Sequence, residues 1–279
     1  CVHRVAATCG ESPMWSARGQ ALYWTDNLGA CIHRLEPGSG REQRFLLDQD
    51  VMAIGLRDGA GLVLALAKQL AFYEPGGELE LIRSVEQDQP RNRFNDGKID
   101  RRGRYWAGTM NDVGWDKPSG SLYRLDPGLE LSRLQGAVVC ANGLGWSPDD
   151  RTFYFGESFR YAIFAYDLEP DAGALSARRV LATVDRISGA FPDGLTVDAE
   201  GGVWSVQNGA GRVVRYAPDG RVTHEVEVPL PQPTSCIFGG RDLDVLYITT
   251  SRQNMTPEQV ARYPLSGSVL AVRPGLSGM

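Results

Sequence analysis

The sequence predicts an all-β fold, a six-bladed β-propeller with a central divalent-metal site. Two observations predict the propeller. Short aromatic or aliphatic runs, each preceded by a turn, recur about every 40 to 50 residues, the spacing of four-stranded blades. Most are followed by an alternating apolar and polar segment that breaks at Pro, Asp or Gly, as hairpin strands do. The six runs begin at Ala21, Gly61, Arg104, Thr152, Gly202 and Val245. We therefore expect one propeller domain over residues 1–279.

The ends of the chain and its one helical segment complete this prediction. A ring of blades must close, so the extended residues 2–7 are expected to pair with the last unit. Residues 256–264 carry good helix signals, with Thr256 as N-cap, Pro257 at the first helical position and Gln259 two residues later. A β-sandwich or two smaller β domains are the alternatives, but neither requires a period of about 45 residues.

Composition narrows the class of protein. The chain has 279 residues, 42% hydrophobic and 23% charged, with a net charge of −5 and both signs interspersed. A nucleic-acid or anionic-membrane partner would require a basic stripe, and none is visible. The longest uncharged apolar run, residues 61–67, is too short to span a bilayer. No secretory leader is visible, although the chain starts at Cys1, which leaves open that a leader or initiator Met was removed.

The cysteines predict a reducing environment. Their number is odd, their spacing is wide, and no C-x-x-C occurs. They are Cys1, Cys9, Cys31, Cys140 and Cys236. We expect most of them to be buried free thiols and the protein to be cytoplasmic. One disulfide in a periplasmic protein is the alternative.

Aligning the repeats on their turn and aromatic anchors places polar residues in one column. The column contains Glu11, Asp96, Asn142 and Asp193; the second unit is apolar there, near Met52, and the sixth has Thr234. Equivalent positions of different blades are related by rotation about the central channel, so these side chains should converge. Acidic groups in one place repel each other unless a cation or proton is shared. Oxygen-only ligands suit Ca²⁺, Mg²⁺ or Mn²⁺, with Zn²⁺ possible.

A simpler interpretation is that Asn-Gly and Asp-Gly only mark turns. Glu11 is not a turn former, and four aligned oxygen side chains favour the metal hypothesis. Other catalytic motifs, including G-x-S-x-G, H-E-x-x-H and the P-loop, are absent from the sequence. The histidines His3, His33 and His224 are scattered, which argues against a histidine base or metal site. Catalysis would have to use carboxylates and a cation.

Several stretches together resemble a known family over essentially the whole chain. They are "GESPMW", "RFNDGKIDRRGRYWAGTM", "GSLYRLD", "ANGLGWSPDDRTFYF", "FPDGLTVDAEGGVW" and "CIFGG…LYITT". The family they resemble is the regucalcin (senescence marker protein)/gluconolactonase family of sugar lactonases. The resemblance implies a six-bladed propeller, one divalent cation at the mouth of the channel, and hydrolysis of sugar lactones.

The resemblance also implies roles for individual residues. Glu11, Asn142 and Asp193 match the metal ligands, and Asp193 also matches the proposed general base. Arg93 and Asn95 match residues that hold substrate hydroxyls. The repeat alignment selects Asp96 instead of Asn95, and the resemblance leaves Asp96 as an auxiliary substrate-binding group. Residues 111–120 fall where the family's substrate-covering loop varies most, so the sugar stays open.

The predicted function is metal-dependent hydrolysis of an aldonolactone, such as gluconolactone or a pentonolactone, to the aldonic acid. The expected cofactor is one divalent cation, with Ca²⁺ favoured over Zn²⁺, Mg²⁺, Mn²⁺ or Fe²⁺. Asp193, Asp96 or a metal hydroxide could serve as the base. A calcium-binding regulatory propeller without turnover and a related propeller esterase or phosphotriesterase are the alternatives. The expected partner is a small sugar lactone, with the protein a monomer or weak oligomer.

Overall fold

The repeated apolar runs of the sequence form middle strands of antiparallel sheets. The computed structural model describes residues 1–59 and 61–279, and its sheets are the six blades of a β-propeller, as the sequence predicts. Five sheets have four consecutive strands and the last has three. The first strand of each blade packs against the first strands of its neighbours, so these six strands surround the axis.

Strand bounds follow the predicted hairpins closely. The first three blades contain β1 (Gly10–Ser16), β2 (Ala21–Asp26), β3 (Cys31–Glu36), β4 (Arg41–Leu46), β5 (Val51–Leu56), β6 (Leu62–Leu66), β7 (Gln69–Tyr73), β8 (Leu79–Ser84), β9 (Asn92–Ile99), β10 (Tyr105–Asn111), β11 (Gly120–Leu125) and β12 (Leu131–Val138). The last three contain β13 (Ala141–Trp146), β14 (Thr152–Glu157), β15 (Ala162–Leu168), β16 (Leu175–Thr183), β17 (Phe191–Val197), β18 (Val203–Asn208), β19 (Arg212–Tyr216), β20 (Val222–Glu227), β21 (Pro233–Gly239), β22 (Val245–Thr250) and β23 (Leu270–Val272).

Burial explains why some strands read as continuous apolar runs and others alternate. Every residue of β6 is buried, because both faces of its sheet pack against neighbouring blades. The fourth strands lie at the rim, and β4 and β20 expose alternate residues or more. Trp24, Trp106 and Trp204 occupy second strands of different blades and are fully buried. Burial of such large aromatic side chains contributes much of the hydrophobic stabilisation.

The N-terminal segment completes the three-stranded last blade, as predicted. His3 pairs with Val269 in an antiparallel bridge, and their backbone N–H groups donate to each other's carbonyl oxygens at 3.1 to 3.3 Å. Cys9 forms a second bridge with Ser251. These bonds join the two ends of the chain and leave the first and last blades in contact around the ring.

The predicted helix is present as α1 (Pro257–Arg262). Thr256 accepts a hydrogen bond from the Gln259 backbone, and the Gln259 side chain accepts one from the Thr256 backbone, a complete capping box.

All five cysteines are free thiols, and Cys31, Cys140 and Cys236 are buried. The prediction of mostly buried free thiols is therefore confirmed.

Two blades share a buried Asp–Trp–Arg contact at the turn before the second strand. In blade five, the Asp198 carboxylate accepts hydrogen bonds from Trp204 Nε1 at 2.7 Å and from Arg215 Nε at 2.6 Å. In blade three, Asp100 accepts the corresponding bond from Trp106 at 2.9 Å. Burial raises the pKa of Asp198, but the hydrogen bonds from Arg215 and Trp204 outweigh it and hold the pKa below its usual value.

We expect Asp198→Ala to lower the free energy of unfolding by about 3 kcal/mol, because it removes the buried partner of Arg215 and leaves the guanidinium only the exposed Glu200 as an ion-pair partner. Urea unfolding measures this. Asp219→Ala in the same blade is the control, since the Asp219 side chain is 67% exposed, and should change stability by less than about 0.5 kcal/mol. Equal urea midpoints for the two variants would contradict a stabilising role for the Asp198 carboxylate.

The same contact makes stability depend on pH. Since the pKa of Asp198 is depressed in the folded protein, its contribution to the free energy of unfolding is present above the unfolded pKa. That contribution is lost as acid lowers the pH through the folded pKa.

Candidate metal centre and active site

A cavity of about 340 Å³ lies on the axis, where the six inner strands meet. Each inner strand contributes at least one side chain to its lining, and β9 and β17 also contribute Arg93 and Phe191. The residues at the repeated position are Glu11, Met52, Asn95, Asn142, Asp193 and Thr234. The rotational convergence that the repeat alignment predicted therefore brings together Glu11, Asn142 and Asp193 from blades one, four and five.

Local β-bulges aim these side chains inward. The strand pairing shifts register at or beside each of the six positions, and a bulge redirects a side chain in this way. The Asn142–Gly143 and Asp193–Gly194 pairs thus lie inside strands β13 and β17, not in turns. Gly143 has φ of +49°, and a Cβ there would lie 2.7 Å from the carbonyl oxygen of Asp193. Glycine is required at this bulge for both reasons.

The third blade corrects the repeat alignment by one residue. Asn95, which is unpaired between Phe94 and Asp96 in the strand ladder, lines the cavity. The buried Asp96 carboxylate accepts hydrogen bonds from the backbone of Gly97 at 2.7 Å and of Gly143 at 2.8 Å, and it is not part of the lining. Asn95 occupies the repeated position because the bulge shifts β9 by one residue relative to its pairing partner, which the repeat alignment does not reveal.

The amide of Asn142 has a defined orientation. Its Nδ2 donates to Ser158 Oγ at 2.8 Å, and Ser158 Oγ donates to the carbonyl oxygen of Pro192 at 2.7 Å. A carbonyl can only accept, so the single Ser158 proton goes to Pro192 and the serine must accept from Asn142. The amide oxygen of Asn142 is left without a hydrogen-bond donor among the described residues.

Glu11 and Asp193 are buried carboxylates with unused oxygens. Glu11 Oε2 accepts from the Ser12 backbone at 2.8 Å, and Asp193 Oδ2 accepts from Asn208 Nδ2 at 2.9 Å. Only 8% of Glu11 and 6% of Asp193 is exposed. Burial, and secondarily the charge of Asp96, raises the pKa of Asp193 to about 7 despite the Asn208 bond. Burial and the Asp193 and Asp96 charges raise the pKa of Glu11 well above its usual value.

This donor set fits a hard divalent cation. Within the described part of the chain, no arginine or lysine forms an ion pair with Glu11 or Asp193, and the Asn142 oxygen is also free. Two unpaired buried carboxylates are costly unless a cation neutralises them. Nowhere in residues 1–59 and 61–279 do three His, Cys, Asp or Glu side chains form a metal-binding group. The protein would therefore supply two carboxylates and one amide oxygen, leaving other positions to water and substrate.

Lys98 adds a positive charge near the carboxylates. It follows Asp96 by two residues on β9, and its ammonium donates to the carbonyl oxygen of Leu195 at 2.8 Å. Burial raises the pKa values of Asp96 and Glu11, and the charge of Lys98 offsets part of each increase, whereas burial lowers the pKa of Lys98 itself. Sequence reasoning assigned no role to this lysine, although it lies within the quoted "RFNDGK" stretch.

Arg93 connects the bulge of β9 to the loop over the cavity. Its Nη1 donates to Asn95 Oδ1 at 2.8 Å, and its Nε donates to Asp112 Oδ1 at 2.6 Å. Asn95 in turn donates to the carbonyl oxygen of Ala141 at 2.8 Å. Both predicted substrate residues thus line the cavity and are held in place by neighbours. Arg93 thus also forms a structural ion pair with Asp112.

Two kinds of side chain line the cavity mouth. Trp115, from the loop at residues 111–120, stacks on Phe159 with ring centroids 5.8 Å apart, and Phe159 contacts Phe191 at 5.5 Å. Blades five, six and one present carboxamides to the mouth. They are Asn27, Asn208, Gln232, Gln253 and Asn254. Aromatic rings together with hydrogen-bonding carboxamides suit a ligand with an apolar face and hydroxyl edges.

Sequence reasoning missed most of this mouth. Ser158 and Phe159 are positioned by a 3₁₀ turn directly after β14, and Asn208 ends β18. The only sequence feature that could have identified them is a polar or aromatic residue at the end of a second strand. The three histidines all lie in the described part of the chain and none lines the cavity, in agreement with the sequence analysis.

The fold and cavity define a six-bladed β-propeller with an oxygen-rich candidate metal centre on its axis. Comparison with known families agrees with this class. The family model described as the SMP-30/gluconolactonase/LRE-like region matches residues 9–252. The chain belongs to this family, as its sequence stretches suggested.

Relatives are similar over nearly their full lengths. A 6-deoxy-6-sulfogluconolactonase from Pseudomonas putida is 38% identical over 100% of this chain and 95% of its own. Regucalcin from Oryctolagus cuniculus is 33% identical over 98% of this chain and 93% of its own. The solved structure of a calcium-binding regucalcin from Agrobacterium tumefaciens has a TM-score of 0.93 at 26% identity, covering 100% of this chain and 95% of that one.

None of the helices in the described residues is both long and apolar enough to cross a membrane.

Proposed function

We propose that this protein is a metal-dependent sugar lactonase that opens an aldonolactone, such as gluconolactone or a pentonolactone, to the aldonic acid. The observation that carries the proposal is the meeting of Glu11, Asn142 and Asp193, each with an unused oxygen, in a cavity of sugar size. Family membership and the 38% identical lactonase support the reaction class. We also propose that all six blades act as one domain.

Glu11, Asn142 and Asp193 would hold one divalent cation, and their oxygens favour Ca²⁺. When bound, the cation polarises the lactone carbonyl and stabilises the negative charge that develops on its oxygen. The name of the calcium-binding regucalcin neighbour supports this choice of metal.

Asp193 is the proposed general base. Its buried carboxylate accepts a hydrogen bond from Asn208 through Oδ2, and no side chain of the described residues donates to Oδ1. Burial raises the pKa of this carboxyl to about 7 without a cation. A bound cation would lower that pKa and keep Asp193 as the anion that can accept a proton. As water forms a bond to the carbonyl carbon, its proton passes to Asp193. The bond from that carbon to the ring oxygen then breaks, and the released oxygen takes up a proton, so the ring opens to the acid.

Asn95 and Arg93 are proposed to hold substrate hydroxyls, and the aromatic side of the mouth to pack on the apolar face of the sugar. Asp96 has a different proposed role, because its carboxylate fixes the Gly143 backbone and so positions the neighbouring Asn142. Holding both reactants in place makes the attack effectively intramolecular.

The charge of the cavity favours an uncharged lactone. Among the described residues that line it, Arg93 is the only cation, and Asp112 already pairs with it. A divalent cation would offset Glu11 and Asp193. A sulfonate on the sugar would therefore find no unpaired positive charge, so we propose a neutral aldonolactone instead of the sulfonated one named for the Pseudomonas relative.

Arg93→Ala should lower kcat/KM by roughly 10- to 10³-fold, the scale of one or two charge-assisted hydrogen bonds. Cation affinity should stay the same or rise slightly, because a nearby positive charge is removed. Asp112→Ala is the matched variant, since it breaks the same ion pair but keeps the guanidinium. Steady-state kinetics compare the two. If both variants lose the same kcat/KM, Arg93 acts by fixing the loop and does not hold substrate.

A pH-stat assay of five- and six-membered aldonolactones, neutral and 6-sulfonated, tests the function. We expect neutral lactones to be hydrolysed, turnover to stop with a chelator, and added cation to restore it. Cation binding without turnover of any lactone would instead support a calcium-binding regulatory propeller. Turnover that survives complete metal removal would contradict metal dependence. Preference for the sulfonated lactone would overturn only the charge argument.

A further inference from the structure

Ser158 occupies a position that no substrate or metal role accounts for. It begins the 3₁₀ turn after β14, is 1% exposed, and borders the cavity. No histidine lines the described cavity, so the hydroxyl has no imidazole to activate it as a nucleophile. Its hydrogen bonds connect Asn142 of blade four with Pro192, the residue that precedes Asp193 in blade five.

We propose that Ser158 is a positioning residue that turns the Asn142 amide oxygen toward the cation and ties the loops of two metal ligands together. This inference rests on the proposed metal site. A free asparagine amide can present either its oxygen or its NH₂ group, and only the oxygen can bind a cation. Ser158 removes this ambiguity, because its proton is committed to the Pro192 carbonyl and its lone pair accepts from Asn142 Nδ2.

The same hydroxyl restrains the distance between the two ligands. The Pro192 carbonyl precedes the backbone of Asp193, so the bond from Ser158 fixes where the Asp193 bulge begins relative to Asn142. The Ser158 backbone also donates to the carbonyl oxygen of Cys140 at 3.1 Å, which holds the 3₁₀ turn against the start of β13. Outer partners that orient metal ligands typically change affinity by 10- to 100-fold when removed.

Calorimetric titration with Ca²⁺ tests the role directly. Ser158→Ala should weaken cation binding by roughly 10- to 100-fold. Ser158→Cys fills nearly the same space with a weak hydrogen-bonding group, so it should show a similar loss and serves if the alanine variant does not fold. Ser121→Ala is the control, because Ser121 is also fully buried with a side-chain hydrogen bond, from Arg133, but lies outside the cavity. It should keep wild-type affinity.

A double-mutant cycle isolates the orienting effect. An aspartate has oxygens on both sides, so in the Asn142→Asp background the orientation of this side chain no longer matters. Ser158→Ala should then weaken binding by less than about threefold, which gives a coupling of roughly one factor of ten between the two positions. An equal loss in both backgrounds would show that Ser158 acts through general packing and would overturn the proposal. Unchanged affinity in Ser158→Ala would also overturn it.

Melting temperatures measured with Ca²⁺ and in chelator distinguish an effect on cation binding from an effect on the stability of the metal-free protein. We expect the difference in melting temperature between Ser158→Ala and wild type to be larger with Ca²⁺ than without it. An equal difference in both conditions would contradict a role at the metal. If wild type itself binds no divalent cation, the proposed function fails first, and that outcome is distinct from a failure of the Ser158 inference.

Discussion

Asp193→Asn should lower turnover by at least about 10²-fold even when the cation is saturating, because it removes the proposed general base. The substitution is nearly isosteric. Asn208 Nδ2 donates to Oδ2, so it will select the amide oxygen of the new side chain and leave an NH₂ group at the free position. That group can neither accept the proton of water nor bind a cation. We therefore expect loss of both basicity and some metal affinity.

Two measurements distinguish these losses. Calorimetry gives the cation affinity of Asp193→Asn, and single-turnover kinetics at saturating cation give its chemical step. Asp219→Asn is the control, an exposed aspartate on the outer hairpin of the same blade. If excess cation restores full turnover in Asp193→Asn, Asp193 is only a ligand and the base must be sought elsewhere.

Glu11→Gln should weaken binding of the divalent cation by at least about 10²-fold, because ligand charge largely sets the affinity for hard cations. Turnover at limiting cation should fall in parallel. The same variant should melt at a higher temperature than wild type in chelator, because Glu11 is buried beside Asp193 and Asp96 and their charges repel. Removing a charge thus stabilises the metal-free protein and destabilises the metal-bound one.

Thermal unfolding with and without Ca²⁺, together with elemental analysis, measures this reversal. Glu80→Gln, an exposed glutamate on β8, is the control and should change neither melting temperature appreciably. Full metal content and full activity in Glu11→Gln would place the cation site elsewhere. A lower melting temperature in both conditions would identify Glu11 as a structural residue.

Much of the fold could be predicted because it follows from local sequence patterns and their repetition. The spacing of apolar runs and turns gives six units, since every blade must repeat the same hairpins to bury both faces of its middle strands. The N-terminal closure follows from the need to complete the last blade, and α1 from its capping residues. These features depend on neighbours in sequence or on a repeat, so they are visible without coordinates.

Part of the site was visible for the same reason. Glu11, Asn142 and Asp193 occupy equivalent points of three repeats, and rotation about the axis converts that equivalence into proximity. Asn95 was harder, because a bulge in β9 shifts the phase by one residue and the alignment selects Asp96. The family resemblance pointed to Asn95, but only the strand pairing explains the shift, since the hydrogen-bond ladder has no signature in a single sequence.

By itself, the sequence determined the number of blades and the acidic column on the axis, because composition and periodicity record them directly. Only the tertiary structure shows which residues surround and position that acidic column. Ser158 of one blade donates a hydrogen bond to Pro192 of the next, Arg93 pairs with Asp112, and Trp115 stacks on Phe159. These contacts link positions 19 to 44 residues apart, and their geometry depends on how blades and loops pack around the axis.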